Sequence, residues 1–396
     1  MRTICIAGKN DIAVDVLLYC ISKFYDYKIV CITNKNDPAI NTWQRSLKWY
    51  AQRKQIPIVS LEDVYEIEDL LFLSLEFDRI IKPDRFKSTN LYNIHFSMLP
   101  QYKGMYTSVL PILDGKNFTG VTLHRIDAGI DTGDIVVQKK VEILHDDTAL
   151  DLYRKLISEG TKIVIEQVEN LLQREVTAYP QDWKESTYYS KKEIDYNDIT
   201  IKLNETAYQI GKQIRAFCFR PYQILKWNGC GYIACKILNE RSTLKPGTII
   251  EDTDIYTEVA TVDYNVRLYK DVLSRLFEFI KLQKNDEAKR CCYSEKIIND
   301  KDEHGWTALT VAVYNNNFEM TEYLVNHGGD TQVVNNNGTT LLMYAKNCFT
   351  RTGDATIFEY LLQIGLDPGE KDYYEKTVND YCREEGVVSI GNYIVK

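Results

Sequence analysis

An asparagine and a histidine stand two residues apart in the stretch NLYNIHFSMLPQYKG, residues 90–104. Strand side chains alternate between faces, so Asn93 and His95 share one side. Leu91, Ile94 and Phe96 surround them with apolar surface, and Pro100 and Gly104 end the run. A neutral amide can donate to an oxygen that gains negative charge. Imidazole can take or relay a proton near neutral pH. A second stretch, HRIDAGIDTGDIV (124–136), holds three carboxylates, Asp127, Asp131 and Asp134, with Gly129 and Gly133 to bend the loop. Glycine permits positive φ and close backbone approach. Taken singly, an Asn-x-His is usually a buried structural pair. The acidic loop alone is a turn, a cation site or part of an active site.

The elements that must carry these residues follow from hydrophobic spacing. TICIAG, YKIVCIT and LLFLSLE read as buried strands. DIAVDVLLYCISKF reads as a helix with Asp11 as its N-cap, and PAINTWQRSLKWYAQRKQ as a helix from Pro38. Alternating strands and helices imply an α/β domain, a parallel sheet covered on both faces. LYNIHFSML, GVTLHRI and GDIVVQKKVEI add strands, and the amphipathic helix ALDLYRKLISEGTKIVIEQVENLLQ closes the domain near residue 175. Residues 176–268 are expected to be a tyrosine-rich connector, with a short hairpin, and a small α+β domain built on the helix ETAYQIGKQIRAF. Residues 269–396 repeat. Gly305 and Gly338, 33 residues apart, each open a Gly-x-Thr-x-Leu turn and helix. That period and signature are those of ankyrin repeats, with a leading cap before them and a degenerate third unit from about Glu375.

Composition narrows the function. A chain of 396 residues with net charge −8 is too long for one core and lacks the charge of a general nucleic-acid or membrane-surface binder. Ten scattered cysteines lack zinc or redox spacing and read as reduced thiols. No stretch has the form of a signal peptide or a membrane span, so a cytoplasmic protein is expected.

Together the two chemical stretches resemble the formyltransferases that use 10-formyltetrahydrofolate. The family pattern Asn-Ile-His-x-Ser-x-Leu-Pro-x-x-x-Gly is met by Asn93, Ile94, His95, Ser97, Leu99, Pro100 and Gly104, and its Asp-x-Gly by Asp131 and Gly133. The usual proline after the histidine is Phe96. The resemblance covers most of residues 1–175 and implies a Rossmann-like catalytic domain. It also implies a formylated folate as co-substrate, with no metal needed. Asn93 would bind the formyl oxygen, His95 would relay the proton and Asp131 would hold the imidazole. Arg79, Ile80 and Ile81 would line the folate pocket.

The acceptor is read from further resemblance. Residues 176–265 carry 11 Lys+Arg against 12 Asp+Glu, which leaves no basic footprint for tRNA. QYKGMYTSVLPILDG and IRAFCFRPYQ are similar to segments of enzymes that formylate dTDP-linked amino-dideoxysugars. In that reading Gly104, Met105 and Tyr106 approach the sugar. Phe219 and Tyr222 stack on thymine, and Arg215 or Arg220 approaches the pyrophosphate. The implied substrate is dTDP-3-amino-3,6-dideoxy-D-glucose, for bacterial O-antigen or other polysaccharide. The alternatives are the 4-amino sugar, a folate deformylase that uses water, and a non-enzymatic ankyrin scaffold, against which the intact catalytic set argues. Trp306, Tyr314 and Tyr344 are candidates for an accessory nucleotide-sugar site on the repeats, which otherwise suit a protein partner or a purely structural role. A homodimer is expected, with the connector available as an interface.

Overall fold

The computed structural model describes residues 2–395. It divides into two compact units, one up to Lys270 and one from Asp271.

The first unit opens with β1 (Thr3–Gly8), α1 (Asn10–Lys23) and β2 (Lys28–Thr33), then α2 (Leu47–Arg53), α3 (Glu62–Tyr65), β3 (Leu70–Leu75) and β4 (Leu91–His95). The two-residue β5 (Lys103–Gly104), α4 (Leu110–Leu113), β6 (Phe118–Arg125), β7 (Ile135–Glu142) and α5 (Ala149–Gln173) complete the α/β part. One six-stranded sheet has the order β2-β1-β3-β4-β6-β7. The first four strands are parallel, and β6 and β7 run antiparallel to complete one edge. The continuous apolar runs of β1 and β3 are wholly buried, as strands covered on both faces require. Cys5, Val30, Ile32, Leu61, Val64, Phe72 and Leu91 form one core cluster. The 25-residue α5 starts at a capping box between Thr148 and Asp151, the two side chains satisfying each other's backbone N–H groups. Gly160 lets this helix approach β4: a Cβ there would lie 3.1 Å from the Phe96 ring.

Two expected helix starts differ. The N-cap of α1 is Lys9, because the Asp11 carboxylate is engaged by the Arg45 guanidinium at 2.7 Å. No helix begins at Pro38. The Asp37 carboxylate accepts from the amides of Ala39 and Lys48 and from the Ser46 hydroxyl, and Asn41 accepts from the Ser46 amide. Such side chains offer the backbone an alternative to helix. The helix waits for Ser46, whose hydroxyl caps α2.

Beyond α5 the chain carries one short 3₁₀ turn (Trp183–Glu185) before β8 (Tyr188–Tyr189), which pairs parallel with β5. The expected hairpin in the connector is therefore absent: its strand-forming tyrosines pair with a distant segment. Then come α6 (Ala207–Ala216), β9 (Leu225–Trp227), β10 (Cys230–Arg241), β11 (Ile249–Asp252), β12 (Tyr256–Val259) and β13 (Tyr264–Lys270). They form a five-stranded antiparallel sheet of order β11-β12-β13-β10-β9. Its central strand β13, YNVRLYK, was not separated from its neighbours by the sequence reading.

The second unit contains α7 (Leu273–Lys281), α8 (Asn285–Cys291), α9 (Glu295–Asn299), α10 (Ala308–Tyr314), α11 (Phe318–Asn326), α12 (Leu341–Thr352), α13 (Thr356–Gln363) and α14 (Val378–Glu384), then a short hairpin, β14 (Ser389–Ile390) and β15 (Tyr393–Ile394). The repeat is visible in its turns. Asp302, Asn335 and Asp372 each use one side-chain oxygen to accept the amides two and four residues on. Gly305 and Gly338 sit at the turn tips with φ of +80° and +77°. The degenerate third unit has α14 and a hairpin in place of a helix pair. No helix among the described residues is long and apolar enough to cross a membrane. All ten cysteines are free thiols.

Candidate active site

The carboxyl end of β4 carries Asn93 and His95, and both side chains meet the loop between β6 and β7. Asp131 lies with Oδ2 3.4 Å from Nδ1 of His95 and Oδ1 3.4 Å from Nδ2 of Asn93. The Gly104 amide donates to Asp131 Oδ2 at 2.9 Å. Nε2 of His95 lies 2.8 Å from the Tyr102 carbonyl. Both ring nitrogens of His95 therefore face oxygen atoms, Asp131 on one side and the Tyr102 carbonyl on the other. Burial alone would raise the Asp131 carboxyl. The His95 imidazole and the Gly104 amide outweigh it and hold the group well below the usual carboxylate range. The arrangement is an anionic carboxylate beneath an imidazole and a primary amide, able to donate hydrogen bonds and pass a proton at one spot.

His124 belongs to this group and was missed in the sequence, although it begins the acidic stretch. It is opposite Asn93 in the β4–β6 register. Its Nε2 lies 3.1 Å from Asn93 Nδ2 and 3.6 Å from Asp131 Oδ1, and its side chain is almost wholly buried. The signal was a polar residue on an inward-facing strand position, but only strand pairing tells which residue it meets.

The loop glycines act by close approach and not by positive φ. A Cβ at Gly133 would lie 1.9 Å from the Arg125 carbonyl, and one at Gly129 would lie 2.0 Å from the Thr132 hydroxyl. The left-handed residue is Asp131 itself, at φ +53°. Tyr102 and Tyr106 are left-handed too, at +54° and +65°. Strain of this kind persists where surrounding contacts over-determine the chain.

The residues expected at the folate pocket follow β3, beside the end of β4. Ile80 is 71% exposed, whereas the Ile81 side chain belongs to the core. Ile81 is thus left with main-chain groups to offer a ligand. Arg79 lies over the Phe77 ring at 4.8 Å.

The expected acceptor residues fall into two groups. Gly104, Met105 and Tyr106 lie beyond β4, and the Tyr106 hydroxyl donates to the Lys191 carbonyl at 2.7 Å. Phe219 and Tyr222 flank the turn after α6, with ring centroids 5.6 Å apart. Trp43, unassigned from sequence, packs edge-on against both, at 5.6 and 5.3 Å. Phe219 is buried in this cluster, while Tyr222 is 65% exposed. Lys9, Asn10, Trp43, Arg45 and Tyr222 line a cleft. Two lining residues, Asn10 and Gln44, lead into a polar network. Tyr153 donates to Glu76 at 2.6 Å, Asn10 donates to Glu76 at 2.7 Å, and Gln44 donates to the Tyr153 hydroxyl at 2.7 Å. Burial pushes the Glu76 carboxyl up, against the lowering effect of these donors. The Tyr153 ring also meets Phe96, the residue after His95, at 6.0 Å, which ties this network to the end of β4. Arg215 donates to the Asp147 carbonyl at 3.0 Å, and Arg220 enters the turn through its peptide bond with Pro221.

In the repeat unit, Trp306 lies 5.1 Å from both Tyr314 and Tyr344. Tyr344 is buried, accepts from Asn335 Nδ2 at 2.7 Å, and is pushed up to about 12 mainly by burial. Trp306 and Tyr314 are half-buried.

Known proteins share this architecture. Residues 7–168 match the family model described as formyl transferase, and residues 275–372 match one for ankyrin repeats. An N-formyltransferase from Helicobacter canadensis, solved with folinic acid and dTDP-3-aminofucose, is 38% identical. That match covers 68% of this chain and 100% of the other, with a TM-score of 0.64. The chain belongs to the formyltransferase family. A second structure, the sugar 3N-formyl transferase WlaRD with dTDP and 5-N-formyl-THF, is 40% identical over 68% of this formyltransferase and 98% of that chain, with a TM-score of 0.63. The methionyl-tRNA formyltransferase of Fervidobacterium nodosum is 27% identical over 259 residues, 61% of this chain and 81% of that one. The Rossmann-like α/β domain and the ankyrin repeats expected from the sequence are both present.

Proposed function

We propose that this formyltransferase moves a formyl group from 10-formyltetrahydrofolate to the amine of a dTDP-linked amino-dideoxysugar. The observation that carries the reaction type is the convergence of Asn93, His95 and Asp131 at the end of one strand. The amine attacks the formyl carbon, and its lone pair forms the new C–N bond. The Asn93 amide donates to the formyl oxygen as charge builds there; its contact with Asp131 is long enough to yield to that oxygen. The bond to folate N10 then breaks. His95 takes the proton that the amine loses and supplies one to N10, and Asp131 keeps the charged ring in place.

Two relatives above 35% identity support the sugar acceptor: one is an N-formyltransferase solved with dTDP-3-aminofucose, the other a sugar 3N-formyl transferase. The aromatic cleft of Trp43 and Tyr222 suits a pyrimidine base, with Lys9 in its lining to meet phosphate. The acceptor proposed is dTDP-3-amino-3,6-dideoxy-D-glucose, and the product would feed surface polysaccharide. A panel of dTDP-3-amino and dTDP-4-amino sugars, with initiator methionyl-tRNA and buffer alone, tests this by mass spectrometry. A formylated 3-amino sugar is expected. Formylation of the tRNA alone, or formate release without acceptor, would remove the sugar reading.

For the repeats we infer a flat-ring site at Trp306 and Tyr314, whose half-buried rings keep part of their surface open. Titration of dTDP into wild type and Trp306→Ala tests it. Loss of one of two sites in the variant is expected; one site in both proteins would leave the repeats to a protein partner.

A further inference from the structure

The segment between α5 and β8 was read from sequence as a connector. In the structure it is laced to the active site. Tyr179 exchanges two backbone hydrogen bonds with Ile135, of 2.8 and 3.0 Å, beside the start of β7. The Thr187 carbonyl accepts from the Lys103 amide, its hydroxyl from the Tyr102 amide, and the Tyr189 carbonyl from the Met105 amide. A Cβ at Gly104 would lie 2.3 Å from the Tyr189 carbonyl, so the segment rests directly on that glycine.

Between these anchors sits Gln181, 5% exposed. Its Nε2 donates to the Asp131 carbonyl at 2.9 Å and to the Gly133 carbonyl at 2.8 Å. The opposite amide orientation would press an oxygen against two carbonyls, so the donor side is fixed. Both contacts bracket the left-handed turn at Asp131, a conformation that a non-glycine residue keeps only where surrounding contacts hold it. The carboxylate of the same residue is held by the Gly104 amide, which the segment positions from the other side.

We propose that Gln181 is a positioning residue for formyl transfer, fixing the Asp131 main chain so that its carboxylate meets His95 and Asn93. It touches no reacting atom and acts through Asp131. The proposal rests on the reading of Asp131 as part of the catalytic set. A buried amide in an irregular segment would otherwise have no reason to spend both donors on one turn.

The test compares the intact wild-type chain with Gln181→Met and Gln181→Glu. Methionine keeps the volume and removes the donors; glutamate keeps the shape and sets oxygen against the carbonyls. With 10-formyltetrahydrofolate and a dTDP-3-amino sugar, kcat is expected to fall about 10- to 100-fold in both, as for other small misplacements of catalytic groups. KM for either substrate is expected to change less than about twofold, because no substrate contact is lost. A second readout needs no substrate. Titration of the Asp131 carboxyl by carbon-13 NMR is expected to move upward in Gln181→Met, toward the ordinary carboxyl value. Unchanged kcat, or a fall in kcat and melting temperature with an unmoved Asp131 titration, would overturn the proposal. If wild type formylates no sugar, the acceptor reading fails, and the NMR comparison still decides whether Gln181 controls Asp131.

Discussion

Asn93 and His124 face each other across β4 and β6, with Nδ2 of the amide 3.1 Å from Nε2 of the ring. Nδ1 of His124 lies 2.8 Å from the Arg125 carbonyl, which can only accept. The proton therefore sits on Nδ1, and Nε2 accepts from Asn93. This fixes which side of the amide carries the donors and leaves the second N–H, with its long contact to Asp131, available to a formyl oxygen. His124→Leu is expected to lower kcat about tenfold or more, toward the loss seen when an oxyanion donor is removed. His124→Gln, which can restore an acceptor, is expected to keep most of the activity. Equal activity in the two variants at unchanged melting temperature would contradict this role.

The depressed Asp131 carboxyl predicts a pH dependence of stability. Its folded value lies below the unfolded value near 3.9, so its contribution is complete above that value and is lost as pH falls toward the folded one. The melting-temperature gap between wild type and Asp131→Asn should narrow as pH drops from about 5 to about 2. Calorimetry on the transition of the first unit checks this. A gap independent of pH would mean that the carboxylate is not held by its imidazole and amide neighbours.

Trp43 offers a test of the acceptor cleft. Stacking of a base on an aromatic ring contributes about 1–3 kcal/mol, so Trp43→Ala should raise KM for the dTDP-sugar roughly tenfold or more. The KM for the folate should hold, since Trp43 packs with Phe219 and Tyr222, the residues proposed for the acceptor. An unchanged sugar KM would place the base elsewhere.

The repeat turns allow a controlled comparison. Gly338 and Gly353 have nearly the same φ, +77° and +76°. A Cβ at Gly338 would lie 2.7 Å from the Tyr373 amide nitrogen, whereas nothing lies within 4 Å at Gly353. Gly353→Ala should cost about 1–2 kcal/mol for conformation alone. Gly338→Ala should cost clearly more. Urea denaturation followed in the repeat unit measures both, and equal costs would argue against the close contact.

Much of this was legible before the fold was known. β1 and α5 lie where their apolar patterns put them, because a buried six-residue run and a 25-residue amphipathic helix with its own cap leave few alternatives. Asn93, His95 and Asp131 could be singled out together because the motif fixes their spacing, and the structure brings their side chains together. The misses share one cause, dependence on partners far away in sequence. Pro38 begins no helix because Asp37 and Asn41 bind the local backbone. His124 gains meaning from strand register, Trp43 from its packing on the turn after α6, and Gln181 from a loop some fifty residues away.

The most direct test of the account is the fate of a carbon-13-labelled formyl group. Labelled 10-formyltetrahydrofolate would be mixed with dTDP-3-amino-3,6-dideoxy-D-glucose and wild-type enzyme, with Asn93→Ala and His95→Ala as comparisons, and followed by NMR. The account predicts that the label moves to a formamide on the sugar C3 nitrogen, and that this transfer falls about 100-fold or more in each variant. Label that stays on the folate or emerges as free formate, or transfer that survives both substitutions, would contradict it.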